Sequence, residues 1–191
     1  PNDCLLIVST SGINPFPMEM ADAANTAMMG ALECLEEYNP DTAQKVRVAE
    51  DLTDHYEDIL GTYLVKLSAL PISAEDNAEA AMLLKAIGDF ERIGDYGMNL
   101  LESAEELHQK ELTFSEGAKA ELAVMLGAVS EIIDLSFAAF RSNDLAAATR
   151  VEPLEEVIDD MVLLLKNRHT NRLCQGVCVI SSGLVFMDAL T

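Results

Sequence analysis

Short polar breaks cut this chain into helix-length stretches, and none of those stretches alternates as a strand does. "NPFPMEM" opens a first helix near Pro17. "YNPDTAQ" ends it, with Asn39 able to cap a second helix and Pro40 at its first position. The second helix extends to about Leu70, where "LPISAED" places Ser73 three residues before Asp76 as a capping box. A third helix then runs to about Lys110. "LTFSEGAK", with Thr113 and Glu116 as another capping box, starts a fourth. "RSNDLAA" separates the fourth from a fifth, and "NRHTNR" precedes a sixth apolar stretch that stops at Thr191. Long helices joined by short loops pack as antiparallel neighbours, so the chain is expected to be all-α.

The helices repeat. "AEDLTDHYEDI" around Glu50 resembles "LEEVIDDMVLL" around Glu155, and each carries a glutamate with an aspartate four residues on: Glu50 with Asp54, Glu155 with Asp159. "MLLKAIG" from Met82 can be laid on "LVFMDALT", with Ala86 over Ala189 and Ile87 over Leu190. The offset is roughly a hundred residues each time, which is three helices. This implies tandem three-helix bundles, one over residues 1–111 and a second over 112–191. The second copy stops before its counterpart of "DFERIGD", so it is expected to be truncated at its last helix. A shortened last helix leaves apolar seam uncovered, which favours mispacking, domain exchange or a homo-oligomer.

Composition narrows the partners. Half of the 191 residues are apolar and the formal charge is −21. Such a surface repels nucleic acid and anionic lipid, and suits cations or basic patches on another protein. Cys4, Cys34, Cys174 and Cys178 form no CxxC pair and no disulfide-dense pattern, so they are expected as free thiols in a reducing cytosol. Cys174 and Cys178 are spaced to share a helix face, as small core residues. No apolar run is expected to cross a bilayer. "CLLIVSTSG" lacks a basic n-region and is not read as a signal peptide.

Carboxylates are the chemistry this chain offers. At about 100° per residue, Glu91, Asp95, Asn99 and Glu102 fall in one row on the third helix. The row flanks a seam of Leu83, Ile87, Phe90, Gly94, Met98 and Leu101. Glu50 and Asp54 stand likewise beside Ala49, Leu52, Tyr56, Leu60 and Tyr63, and Glu155 and Asp159 beside Leu154, Ile158, Met161 and Leu165. A single such pair is ordinarily a solvated face. Where antiparallel neighbours bring two such pairs together, the carboxylates must stay wet, take up protons or hold a cation. Oxygen ligands without Cys or His favour Mg²⁺, Ca²⁺, Mn²⁺ or iron over zinc. Arg92 is expected in an inter-helix salt bridge. Gly94 and Gly97, each about 1 kcal/mol worse than alanine inside a helix, are expected where helices approach closely.

"DFERIGDYGMNLLE" resembles the long motif of the PhoU family, Asp-x-Glu-Arg-Ile-x-Asp-x-x-x-Asn with a glutamate following, and the Glu-x-x-x-Asp pair on the preceding helix matches as well. The resemblance covers nearly the whole chain. It implies a six-helix regulator of phosphate uptake whose acidic motifs hold multinuclear metal clusters. Those roles fall on Glu50, Asp54, Glu91 and Asp95 in the first half and on Glu155 and Asp159 in the second, with Asp89, Asn99 and Glu102 as further candidates. "YLVKLSALPISAED" is similar to the PhoU-like domain that follows bacterial Na⁺/phosphate cotransporters.

The functional expectation is a cytoplasmic regulatory module at the inner face of the cell membrane. It binds metal and meets the basic loops of a phosphate transporter or its sensor kinase. One alternative is a metal-free helical adaptor. Another is a di-metal carboxylate oxidase, but that chemistry calls for Glu-x-x-His twice, and only Glu105 with His108 supplies it. His55 and His169 lack the glutamate, and His108 suits a helix C-terminus as a favourable charge. No nucleophile constellation or glycine-rich phosphate loop is present, so an enzyme is not expected.

Overall fold

The structure, a computed structural model, describes residues 15–191, with side chains from Pro17 onward. Cys4 and "CLLIVSTSG" lie outside the described residues. The described chain is all-α: α1 (Pro15–Glu36), α2 (Pro40–Ser68), α3 (Ala74–Gln109), α4 (Glu116–Ser142), a single turn α5 (Leu145–Ala148), α6 (Val151–Cys174) and α7 (Ile180–Asp188). Pro40 opens α2, where its missing N–H goes unneeded. The Ser73 hydroxyl accepts the Asp76 N–H at 3.0 Å and donates to the Asp76 carboxylate at 2.7 Å, so this cap forms as its spacing implied.

Two boundaries differ from expectation. Ser115, not Thr113, caps α4, accepting the Ala118 N–H at 3.3 Å. A cap at Thr113 would draw Phe114 into the first helical turn. Instead Phe114 stays outside the helix with its ring edge-on to Phe186, centroids 5.5 Å apart. "NRHTNR" is no break at all, because α6 runs through it. Buried Leu165 and His169, one turn apart, give the stretch a packed face that outweighs its indifferent propensity. The helix stops where Gly176 takes φ 69°. There the Val177 N–H reaches the Arg172 carbonyl and the Gly176 N–H the Leu173 carbonyl, the Schellman arrangement.

The chain divides into two compact units, one of residues up to Gly30 with Asp41–Met98, the other of Ala31–Pro40 with Asn99–Thr191. In the first, small residues set the spacing. Ala21, Ala24 and Ala27 on α1 are wholly buried. A β-carbon at Gly30 would stand 2.8 Å from Val46 of α2, one at Gly97 only 2.9 Å from the Ala27 backbone, and one at Gly94 2.6 Å from the Thr53 hydroxyl. The close approach expected at Gly94 and Gly97 is therefore what the helices do. The buried face of α2 runs through Val46, Ala49, Thr53, Leu60 and Leu64. Thr53 takes the place the sequence pattern assigned to Leu52, which is exposed.

In the second unit α4 packs on α5 and α6, and α7 on α6. Phe186 is fully buried, stacked on His169 at 4.8 Å with the Arg172 guanidinium 5.6 Å from its ring centre. Arg172 also pairs with Glu121 of α4 at 2.6 Å. Cys174 and Cys178 are not core residues: Cys174 ends α6 exposed, and Cys178 lies in the connection beyond, its thiol on the Ser115 hydroxyl at 3.5 Å. Leu163, Ile180 and Leu184 are exposed. By length and composition, α4 alone among the described helices could cross a membrane. Glu121, Glu131 and Asp134 interrupt its apolar residues, and a single such helix leaves the expectation of no bilayer-crossing run standing. Here its Leu122, Met125, Leu126, Phe137 and Ala139 are buried.

Candidate metal centre

The candidate site grows from the packing of α2 on α3. The Thr53 hydroxyl donates to the Glu50 carbonyl at 2.8 Å, which turns its oxygen inward, and Gly94 leaves the room it needs. Asp54 follows Thr53 and Asp95 follows Gly94, so the close seating of the Thr53 side chain on Gly94 sets the spacing of the carboxylates beside it. One oxygen each from Glu50, Asp54 and Asp95 lies within 4.8 Å of the others. Among the described residues this is the one place where three His, Cys, Asp or Glu side chains converge so. Glu50 is half-buried, while Asp54 and Asp95 are exposed on their outer sides.

Glu91 joins the edge of this group. It stands one turn before Asp95 on the same helix, close enough for the two carboxylates to interact. Burial, then the charge of Asp95, raises the Glu91 carboxyl above its ordinary value, with Glu57 and Asp54 adding to the effect. Glu50 is raised by burial and by Asp54, and Asp54 by burial and by Asp95. Glu57, one turn beyond Asp54, is a contributor the sequence pattern passed over. The i,i+3 spacing from Asp54 was the available signal.

The raised values have a consequence for stability. These carboxyls hold protons more tightly folded than unfolded. In the metal-free chain they therefore stabilise the fold below their ordinary values, 4.5 for the glutamates and 3.8 for Asp54, and that contribution is lost as pH rises through their raised values. We expect Glu50→Gln to flatten the fall in stability as pH rises above 4.5. Urea unfolding in chelator at stepped pH checks this, and superimposable profiles for the variant and the parent would refute it.

The other candidates stand apart from the three. Asp89 is exposed on α3, as are Asn99 and Glu102 farther along it. Glu155 and Asp159 are exposed on α6, with no third convergent ligand among the described residues. Arg92 interacts with Tyr96 one turn along its own helix, in place of the expected bridge to another, because its position on α3 faces solvent. His108, in the last turn of α3, stacks on Tyr38 with centroids 4.3 Å apart.

Comparison with known proteins agrees with the fold. The family model described as PhoU domain matches residues 18–104, a span that includes Glu50, Asp54 and Asp95. The chain is 26% identical over 175 residues to the phosphate-specific transport system accessory protein PhoU homolog 1 of Thermotoga maritima. That alignment covers 88% of this chain and 72% of the relative. The crystal structure of PhoU from Pseudomonas aeruginosa superposes with a TM-score of 0.86 at 20% identity, covering 99% of this chain and 88% of that one, so the fold is shared. Residues 18–104 accordingly match the PhoU domain model, in a chain whose described residues share the fold of the Pseudomonas aeruginosa protein.

Proposed function

We propose that this chain is a metal-binding regulatory domain that modulates phosphate uptake, acting on a phosphate transporter or joined to one at the inner face of the cell membrane. The convergence of Glu50, Asp54 and Asp95 inside the PhoU domain carries this reading. The Thermotoga maritima relative, named as an accessory protein of phosphate-specific transport, supplies the process. The donor set fits a hard cation. Three carboxylates with a fourth at the edge, and no thiolate or imidazole among them, suit iron, Mn²⁺, Mg²⁺ or Ca²⁺. A bound ion would supply positive charge that holds α2 to α3 and offers phosphate a partner. Lys and Arg together number only 12 in the chain. Glu155 and Asp159 are the ligands proposed for a second site. Basic loops of the transporter or of its sensor kinase are the proposed partners of the acidic surface. The likeness of "YLVKLSALPISAED" to cotransporter-fused domains supports the joined arrangement, which the full-length gene would decide.

Elemental analysis and titration calorimetry test the metal reading. We expect uptake of one of these ions, and a loss of at least about tenfold in affinity for the Asp54→Asn, Asp95→Asn double variant. Helical circular dichroism should be unchanged. Absence of uptake of any of the four would favour the metal-free adaptor.

A further inference from the structure

The second unit contains a groove of about 1030 Å³ between the C-terminal ends of α1 and α3 and the first turns of α4. Leu35, Ala104, Leu122 and Leu126 form a buried apolar floor. Tyr38 stands on one side, stacked on His108 and donating to Glu105. Phe114 stands on the other, braced by Phe186. The rim carries Glu36 and Glu111, while Lys119, which also lines the groove, is already paired with Glu116 at 2.9 Å.

Glu111 occupies an unusual position. Its φ is 52°, and the Leu112 N–H meets the Leu107 carbonyl while the Glu111 N–H meets that of His108. This is the helix-ending arrangement that favours glycine or asparagine, and a β-carbon there is disfavoured. Ending α3 does not call for a glutamate. A carboxylate needed at the rim of the groove does.

We propose that this groove docks a basic amphipathic helical segment of a partner protein. Its apolar side chains would sit on the leucine floor, with its lysines or arginines against Glu36 and Glu111. The volume is at the upper end for a small-molecule site, and the groove is open to solvent, which suits a chain segment. A second copy of this chain is the wrong occupant, since each copy carries −21. The inference deepens the partner half of the proposed function and rests on that reading for the class of partner alone.

The test uses the 191-residue chain in chelator with a labelled synthetic peptide of about eighteen residues, leucines at i, i+3, i+4 and i+7 and lysines elsewhere, followed by fluorescence anisotropy. We expect binding that a scrambled peptide of the same composition matches about tenfold less well. Ala123→Arg, at an exposed position on the wall, should weaken it about tenfold by filling the groove with like charge. Glu111→Gly should weaken it about threefold while raising the melting temperature by about 2–4 °C, a combination that a purely structural Glu111 would not give. Val48→Arg, in the separate groove of α1 and α2, should change nothing, nor should Asp54→Asn with Asp95→Asn, so this inference and the metal reading fail separately. Equal binding of the scrambled peptide, no binding of either peptide, or indifference to Ala123→Arg would overturn the proposal. So would sensitivity to Val48→Arg, or capture of phosphatidylcholine–phosphatidylserine vesicles in place of the peptide.

Discussion

Gly97→Val lowers the free energy of unfolding by about 3 kcal/mol, at the upper end for forcing volume into a packed interior. A β-carbon there meets the Ala27 carbonyl carbon at 2.9 Å, its oxygen at 3.0 Å and the Met28 nitrogen at 3.1 Å, all backbone atoms held inside α1. No rotamer change relieves such a contact, so α1 and α3 must move apart. Gly88 gives the contrast, because nothing among the described residues lies within 4 Å of its added carbon. There Gly88→Ala should stabilise the chain by up to about 1 kcal/mol through helix propensity. Urea unfolding of both variants checks the pair, and equal midpoints would show that α1 and α3 do not pack as closely as described. Gly94→Ala is a related case with a functional readout. Its added carbon meets the Thr53 hydroxyl at 2.6 Å, and the shift of α2 that follows draws Glu50 and Asp54 away from Asp95, so metal affinity should fall more than stability.

The second large effect belongs to the other unit. Phe186→Ala should destabilise it by about 3–5 kcal/mol, the range for removing a buried aromatic ring. Phe186 is 0% exposed and touches three partners at once: the edge of Phe114, the face of His169 and the Arg172 guanidinium. Both ring nitrogens of His169 are buried without a hydrogen-bond partner among the described residues, and burial pushes its pKa down, so the neutral ring depends on that stacking. Without Phe186 the cavity and the unsatisfied nitrogens share one place, and collapse around it is poor. A melting transition about 10 °C lower is the expected reading. Leu184→Ala, at an exposed position on the same helix, should stay within about 0.5 kcal/mol of the parent. If the two variants melt alike, the ring cluster is not the centre of this unit.

The helices were legible because their signals are local. Pro40 at a first turn and the Ser73–Asp76 cap act within one turn of chain, and the structure keeps both. The signals failed where a distant residue decided the outcome. Phe114 leaves the helix because Phe186, far along the chain, receives its ring, and the cap falls on Ser115. "NRHTNR" reads as polar and breakable, yet His169 lies inside the core and the helix passes through. Leu52 reads as a better core residue than Thr53. Gly94 opposite reverses the choice, because the Thr53 side chain fills the space that a β-carbon there would take.

By itself the sequence determined the all-helical class, since period, caps and breakers act over a few residues, and it determined which carboxylates were candidates, since spacing along a helix sets their row. Tertiary structure alone decided which of them meet. Glu50, Asp54 and Asp95 converge where Thr53 fits against Gly94, whereas Glu155 and Asp159, with the same spacing, remain exposed without a third convergent carboxylate among the described residues. The physical reason is that a helix sets the angle between its own side chains, while the distance to a neighbouring helix depends on the volume of residues on both.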